Sequence, residues 1–198
     1  MIVIIDYGAG NLFSVQNALN FVGAENIISS SKKDIENADK LILPGVGAFP
    51  DAMDKLYEKD LIDLIKASAQ EKPLLGICLG MQLLFDSGYE FREAKGLGLI
   101  DGKVDELKAP GMKIPHIGWN NVTKENECSL SHGINDGDMV YFVHSYKAVT
   151  GTDNISLRTE YGQLVPGLVF KDQIYGCQFH PEKSGDVGLK ILRNFKEI

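Results

Sequence analysis

The sequence predicts an α/β protein with an open, twisted and mostly parallel sheet that carries helices on both faces. Short, wholly apolar segments alternate with segments of helical periodicity in the first half of the chain, which is typical of a parallel sheet buried on both sides. Glycine-rich turns follow several of these apolar segments. The second half holds more strand-like segments, so we expect an additional mixed or antiparallel β portion there.

The predicted elements follow from these patterns. Apolar residues recur at helical spacing between residues 12 and 22, with Asn11 as the expected N-cap, and one or two further helices are predicted between residues 49 and 69. A final helix is predicted at about 185–196. The predicted strands are 1–5, 25–29, 41–43, 74–77, 103–107, 139–143, 155–161, 164–170 and 173–179. Linkers, low-complexity tracts and repeats are not evident, so we expect one domain spanning residues 1–198.

Composition narrows the functional classes. The net charge of −7 argues against nucleic-acid binding, which requires clustered lysine and arginine. Apolar runs of membrane-spanning length are absent, and Asp6 interrupts the first apolar segment too early for a signal peptide. The three cysteines do not indicate a disulfide framework. We therefore expect a cytoplasmic protein that binds neither membrane nor nucleic acid.

The most informative segment is residues 76–82, GICLGMQ, which follows an apolar strand. It predicts a glycine-flanked turn that places Cys78 at the N-terminus of a helix, where the helix dipole and free N–H groups favour a thiolate nucleophile. The alternative is an inert core cysteine, since free cysteine is among the most buried residue types. Among the other thiols, we expect Cys177 to face the core and Cys128 to lie in a surface loop.

A cysteine nucleophile needs a base and a group that orients the base. His180 follows a predicted strand, and Glu182 lies two residues further on. Because Pro181 favours an extended conformation at the residue before it, and positions i and i+2 of an extended chain face the same way, we expect Glu182 to contact the His180 imidazole. His144 is the alternative base, although we favour a structural role for it.

Cofactor and metal sites are not indicated. The segment Tyr7–Asn11, YGAGN, follows a strand and invites comparison with a dinucleotide-binding turn, but Phe13 occupies the position where a third small residue is required. Cysteine and histidine pairs with zinc-ligand spacing are lacking. We therefore predict no cofactor and no metal.

Three motifs carry a family resemblance: GICLGMQ at 76–82, QFHPE at 178–182 and LILPGVG at 41–47. Together they resemble the glutamine amidotransferases that use a Cys-His-Glu triad. The resemblance implies that Cys78 attacks the side-chain amide of glutamine, that His180 transfers protons and that Glu182 orients His180. It further implies backbone oxyanion donors at Val46, Gly47 and Leu79, and substrate contacts from Gly45, Gln82, Ser145 and Tyr146.

A second set of segments narrows the resemblance to one branch. Residues 6–11, 115–120 and 180–184 resemble the glutaminase subunits of imidazole glycerol phosphate synthase, in histidine biosynthesis. The resemblance implies a heterodimer with a (β/α)₈ cyclase that consumes the ammonia. It also implies interface or coupling roles for Asn11, His116, Trp119 and Lys183. Two alternatives remain open at this point: a glutaminase serving another synthase, such as anthranilate or guanylate synthesis, and a non-catalytic amidotransferase-like regulatory subunit.

Overall fold

A computed structural model describes residues 1–198 and contains one large sheet, two smaller sheets and six α-helices. The helices are α1 Leu12–Phe21, α2 Lys32–Asn37, α3 Phe49–Glu58, α4 Ile62–Glu71, α5 Leu79–Gln82 and α6 Gly185–Glu197. The strands are β1 Ile2–Ile5, β2 Asn26–Ser29, β3 Lys40–Leu43, β4 Leu74–Ile77, β5 Ser87–Gly88, β6 Ala94–Lys95, β7 Lys103–Glu106, β8 His116–Asn121, β9 Thr123–Lys124, β10 Met139–His144, β11 Tyr146–Val149, β12 Ile155–Glu160, β13 Leu164–Lys171 and β14 Ile174–Cys177.

The large sheet has eight strands in the order β2-β1-β3-β4-β14-β13-β12-β9. The first five of these pair in parallel, whereas β14-β13, β13-β12 and β12-β9 pair antiparallel. The predicted fold class is confirmed, including the antiparallel portion contributed by the second half of the chain.

Side-chain alternation explains why the parallel strands are apolar at every position. In β1, Val3 and Ile5 belong to one core cluster, and Ile2 and Ile4 belong to the cluster on the opposite face. Because successive side chains of a strand point to opposite faces, a strand covered on both sides must be apolar throughout.

Helices cover both faces. The apolar sides of α2, α3 and α4 contribute Ile35, Leu56 and Ile65 to one cluster. The apolar sides of α1 and α6 contribute Leu19 and Phe195 to the other. None of the helices has the length and apolarity that crossing a membrane requires.

Several predicted boundaries differ from the observed ones. The segment between residues 49 and 69, predicted to hold one or two helices, holds two, which are separated near Asp60, a residue with φ of 58°, and the second of them extends to Glu71. The strand predicted at 173–179 ends at Cys177. Asn11 occupies the N-cap position of α1, but its side chain makes no capping hydrogen bond.

Five strands were not indicated by the sequence, namely β5, β6, β8, β9 and β11. β8 pairs antiparallel with β10 in a two-stranded sheet, and β11, β7, β5 and β6 form a four-stranded one. The carboxyl ends of β3, β4 and β14 lie at one edge of the large sheet, because these strands are parallel neighbours. The turns that follow them carry Gly45, Cys78 and His180, so the sheet brings these three residues to the same edge.

Candidate active site

Cys78 lies in a tight turn between β4 and α5. Its backbone adopts φ of 54° and ψ of −111°, a conformation that non-glycine residues rarely adopt. Strained backbone of this kind persists only where the surroundings enforce it, and it is common at functional sites. Two hydrogen bonds enforce it here: Cys78 N donates to the Cys177 carbonyl at 2.7 Å, and Gln82 N donates to the Cys78 carbonyl at 3.1 Å.

The flanking glycines are required by close backbone packing. A Cβ atom at Gly80 would lie 1.8 Å from the carbonyl oxygen of Leu43, and one at Gly76 would lie 2.6 Å from the carbonyl oxygen of Gly80. A Cβ atom at Gly45 would lie 2.7 Å from the Gly80 nitrogen. The turn after β3 and the turn after β4 are therefore in direct backbone contact, which only glycine permits.

His180 and Glu182 form a buried pair. Nδ1 of His180 lies 2.8 Å from Oε1 of Glu182, and their side chains are 4% and 1% exposed. His180 is extended, as Pro181 predicts, but residues Pro181–Lys183 form a 3₁₀ turn rather than continued strand. The predicted contact is therefore present, although a turn and not strand alternation brings it about.

Further hydrogen bonds fix the backbone of His180. Its N–H donates to the Tyr141 carbonyl at 3.0 Å, and its carbonyl accepts from the Ser184 hydroxyl at 2.6 Å. The same Ser184 oxygen accepts from Tyr141 N at 2.9 Å. Strand β10 and the start of α6 therefore hold the imidazole in place.

The remaining nitrogen of His180 is directed toward Cys78. Nε2 is buried and has no hydrogen-bond partner, and both residues line the same cavity. Burial by itself lowers the pKa of His180, but close approach to Cys78 and the hydrogen bond to Glu182 outweigh it and raise the pKa to about 9. His180 is therefore an imidazolium at neutral pH.

A cavity of about 280 Å³ opens between these groups, a size suited to a small metabolite. The predicted oxyanion and substrate residues converge there, except that Gly45 lies behind the lining at the contact with Gly80. The lining residues are Val46, Gly47, Cys78, Leu79, Gln82, Glu90, Pro115, Val143, His144, Ser145, Tyr146 and His180.

The four residues predicted to act in partner contact or coupling lie outside this cavity. Trp119 is 53% exposed, Lys183 is exposed and Asn11 is partly exposed. His116 is only 2% exposed, so its side chain offers no surface for direct contact with a partner.

His144 lines the cavity but has no free nitrogen. Its Nδ1 lies 3.0 Å from the Tyr146 carbonyl oxygen, and its Nε2 lies 3.0 Å from Nδ1 of His116. Burial, and then the neighbouring His116, lower the pKa of His144 to about 3. This geometry favours the structural role over the alternative of a base.

One family model matches nearly the whole chain. The sequence profile of the family described as "Glutamine amidotransferase class-I" matches residues 3–198. The chain belongs to the class-I glutamine amidotransferase family.

Curated relatives align with this amidotransferase over its whole length. It is 53% identical to the "Imidazole glycerol phosphate synthase subunit HisH" of Bacillus thuringiensis (strain Al Hakam), an alignment that spans 100% of the chain and 95% of the relative. It is 52% identical, with the same coverage, to the protein of that name from Bacillus anthracis (strain CDC 684 / NRRL 3495).

Solved structures share the fold of this amidotransferase. A crystal structure described as glutamine amidotransferase superposes with a TM-score of 0.77 at 19% identity, covering 100% of this chain and 99% of the other. A structure of PurLQS from Thermotoga maritima superposes with a TM-score of 0.73 at 20% identity, covering 98% of this chain and 95% of the other.

Two residues of the amidotransferase site had no role predicted from the sequence. Glu90 lines the cavity from a loop, and its Oε2 accepts a hydrogen bond from Phe49 N at 2.8 Å. Burial raises the pKa of its carboxyl, as does the nearby Asp51, and the bond from Phe49 opposes them. Gln178 is fully buried, and its Nε2 lies 3.9 Å from Sγ of Cys78. An isolated glutamate in a loop resembles an ordinary polar residue, so only the fold reveals Glu90, whereas Gln178 belongs to the QFHPE motif, which could have indicated a role for it.

Proposed function

We propose that this chain is the glutaminase subunit of an imidazole glycerol phosphate synthase and supplies ammonia for histidine biosynthesis. The observation that carries the proposal is the buried group of Cys78, His180 and Glu182, placed at one cavity in a chain 53% identical to subunits of that synthase. Glutamine is the substrate, and glutamate and ammonia are the products.

In the first half-reaction, Sγ of Cys78 attacks the side-chain amide carbon of glutamine. The carbonyl oxygen becomes an oxyanion, for which the backbone N–H groups of Leu79 and of the Val46–Gly47 turn are the nearest candidate donors in the cavity lining. The His180 imidazolium gives a proton to the departing nitrogen, and ammonia leaves. A thioester on Cys78 remains.

The second half-reaction requires His180 to act as a base. Interaction with Cys78 is one cause of its raised pKa, and that interaction is lost once the sulfur is acylated. The pKa of His180 then falls, and its neutral form accepts a proton from the water that attacks the thioester. Glu182 continues to hold Nδ1 throughout, which keeps Nε2 directed at the cavity.

Glu90 supports the choice of an amino-acid substrate. It is the only acidic residue among those lining the cavity, and its position suits a contact with the α-ammonium group of glutamine. Gln82, Ser145 and Tyr146 also line the cavity and are the candidates for neutral polar contacts with glutamine.

The partner follows from the fate of the product. Free ammonia is protonated and dispersed in bulk water, so a cyclase docked over the site must collect it. An exposed apolar patch lies beside the cavity, continuous with Pro115 of its lining, and its members are 41–59% exposed: Met112, Ile114, Ile117, Trp119 and Met139. We propose that a (β/α)₈ cyclase covers this patch in a heterodimer, in the reducing cytoplasm that a free thiol requires.

The glutaminase assignment is tested by glutamate release. We expect the wild-type chain, mixed with the cyclase and its nucleotide ligand, to release glutamate from glutamine, and Cys78→Ser to reduce kcat by ~10³-fold or more. Cys128→Ser is the matched control, because this thiol lies outside the cavity and is not required.

Each outcome of this experiment tests a different part of the proposed function. Activity of Cys78→Ser equal to wild type would overturn the mechanism. Stimulation by an anthranilate or guanylate synthase instead of the cyclase would overturn the partner assignment. Inactivity with every partner would favour a regulatory subunit, against which the complete buried triad argues.

A further inference from the structure

A pair of buried histidines lies beside the cavity and has no part in the chemistry described above. His116 of β8 and His144 of β10 are directly opposite each other in the antiparallel register. Nδ1 of His116 lies 3.0 Å from Nε2 of His144. His116 also stacks on the rings of Phe142 and Tyr161, at centroid distances of 4.7 and 3.9 Å.

The groups on either side of the histidine pair determine the direction of its hydrogen bonds. Nδ1 of His144 faces a carbonyl oxygen at 3.0 Å and must carry a proton, so Nε2 of a neutral His144 is an acceptor. Nδ1 of His116 must then donate to it. That leaves Nε2 of His116 to accept from Nδ2 of Asn120, which lies 3.4 Å away.

The orientation of the Asn120 amide is set independently. Its Nδ2 also donates to the Glu160 carbonyl at 3.0 Å, and its Oδ1 accepts from Asn121 N at 2.9 Å. Every nitrogen of the two rings therefore has a partner of matching role when both imidazoles are neutral and protonated at Nδ1. Burial supports this state, since it lowers the pKa of His116 to about 4 and is the main cause of the lowered pKa of His144.

The hydrogen bonds from Asn120 through His116 and His144 form a chain, and its His144 end reaches the substrate cavity. The Tyr146 carbonyl, which accepts from His144, also accepts from Nε2 of Gln82 at 3.0 Å. The same Gln82 nitrogen donates to Oε1 of Gln178 at 3.1 Å. Two donors thus hold one carbonyl, and three residues of this group line the cavity: Gln82, His144 and Tyr146.

We propose that His116 and His144 are positioning residues that, through the Tyr146 carbonyl, hold the Gln82 side chain in the orientation in which its Oε1 accepts a hydrogen bond from glutamine. The inference rests on the proposed glutaminase function and adds to it a purpose for the buried pair. Neither nitrogen of either ring is free to contact the Cys78 sulfur, and the hydrogen bonds reach that sulfur only through Gln82 and then Gln178, whose Nε2 lies 3.9 Å from Sγ. Because two side chains separate the histidine pair from the sulfur, loss of these hydrogen bonds weakens glutamine binding more than it slows the chemical step.

The tautomers of the two rings provide a test that does not depend on activity. In the wild-type protein with nitrogen-15-labelled histidine, NMR at pH 7 is expected to show both rings neutral and protonated at Nδ1. A neutral histidine side chain in water prefers protonation at Nε2, so this result is informative. A ring protonated at Nε2, or charged, would overturn the proposed chain.

Steady-state kinetics of the cyclase complex test the consequence. His116→Phe keeps a ring between Phe142 and Tyr161 but neither donates to His144 nor accepts from Asn120. We expect the KM for glutamine to rise by ~10-fold with kcat within ~2-fold of wild type. His116→Asn, whose Nδ2 takes the place of Nδ1, restores most of the affinity. Tyr161→Phe is the matched control, because its hydroxyl bonds only the Lys113 carbonyl.

The outcomes separate the two proposals. An unchanged KM in His116→Phe, measured beside an active wild-type complex, would overturn the positioning role alone. Equal KM values in His116→Phe and His116→Asn would also overturn it, because ring packing rather than hydrogen bonding would then be decisive. Absence of glutamate release from the wild-type complex would overturn the proposed function itself. If His116→Phe does not fold, the tautomer measurement decides.

Discussion

At the scale of single residues, the reactivity of the site depends on the environment of His180. Its imidazole is almost fully buried, yet its pKa is raised to about 9, because Cys78 and Glu182 favour the charged form more than burial opposes it. The pKa of an unperturbed histidine is about 6.5. The charged pair thus stabilises the fold fully below about pH 6.5, and this contribution is lost as the pH rises toward 9.

Glu182→Gln tests this account. The amide still accepts from Nδ1 but carries no charge, so the pKa of His180 should fall toward that of an ordinary histidine. Between pH 6.5 and 9 the wild-type free energy of unfolding should drop by ~1–2 kcal/mol more than that of the variant, at ~1.4 kcal/mol for each pKa unit of difference. Urea unfolding across this range provides the measurement. Identical pH profiles for the two proteins would contradict the assignment.

At the scale of elements, the local signals of the sequence were most informative where backbone packing leaves one choice of residue. The turn that carries Cys78 could be predicted from the glycines around it. Those glycines are present because close contact between β3, β4 and α5 excludes a Cβ atom. β8 could not be predicted, because its sequence HIGWNN contains a glycine and two asparagines and has no apolar run. The pairing of His116 with His144 depends on the β8–β10 register, which no local pattern specifies.

Gly80→Ala probes this contact between elements. The added Cβ would lie 1.8 Å from the Leu43 carbonyl oxygen, and since the Cβ is fixed to one backbone and the oxygen belongs to another, β3 and α5 must separate. We expect the free energy of unfolding to fall by ~3 kcal/mol or more, together with loss of glutaminase activity.

Gly151→Ala is the matched control for that substitution. Gly151 has φ of −63°, and a Cβ there meets nothing within 4 Å. The change should leave stability unaltered or raise it by ~0.5 kcal/mol. Urea unfolding of both variants gives the comparison, and equal stabilities would refute the requirement for glycine at position 80.

At the scale of the whole molecule, parallel strands explain why residues distant in sequence meet. The motif at 178–182 lies far along the chain from those at 41–47 and 76–82, and the sheet brings their turns together because β3, β4 and β14 are parallel neighbours. Strand-end placement could be predicted from the apolar segments and their following turns. The exposed apolar patch beside the cavity could not be predicted, because the exposure of Ile117 and Trp119 depends on the pairing of β8 with β10, which only the fold reveals.

The patch leads to a prediction about assembly. Trp119 is 53% exposed, and its ring packs edge-on against Tyr141 at a centroid distance of 6.1 Å, so it presents a rigid apolar surface next to the cavity. Aromatic side chains in such positions often dominate binding energy. Trp119→Ala should weaken the complex with the proposed cyclase partner by ~2 kcal/mol, about 30-fold in Kd by titration calorimetry. Tyr57→Ala is the control. This 77% exposed residue lies on α3, which packs against one face of the large sheet, whereas β10, the partner strand of Trp119, packs in the core cluster on the other face. Equal affinities for the two variants would place the cyclase on another surface, and the ammonia would then need a different exit from the cavity.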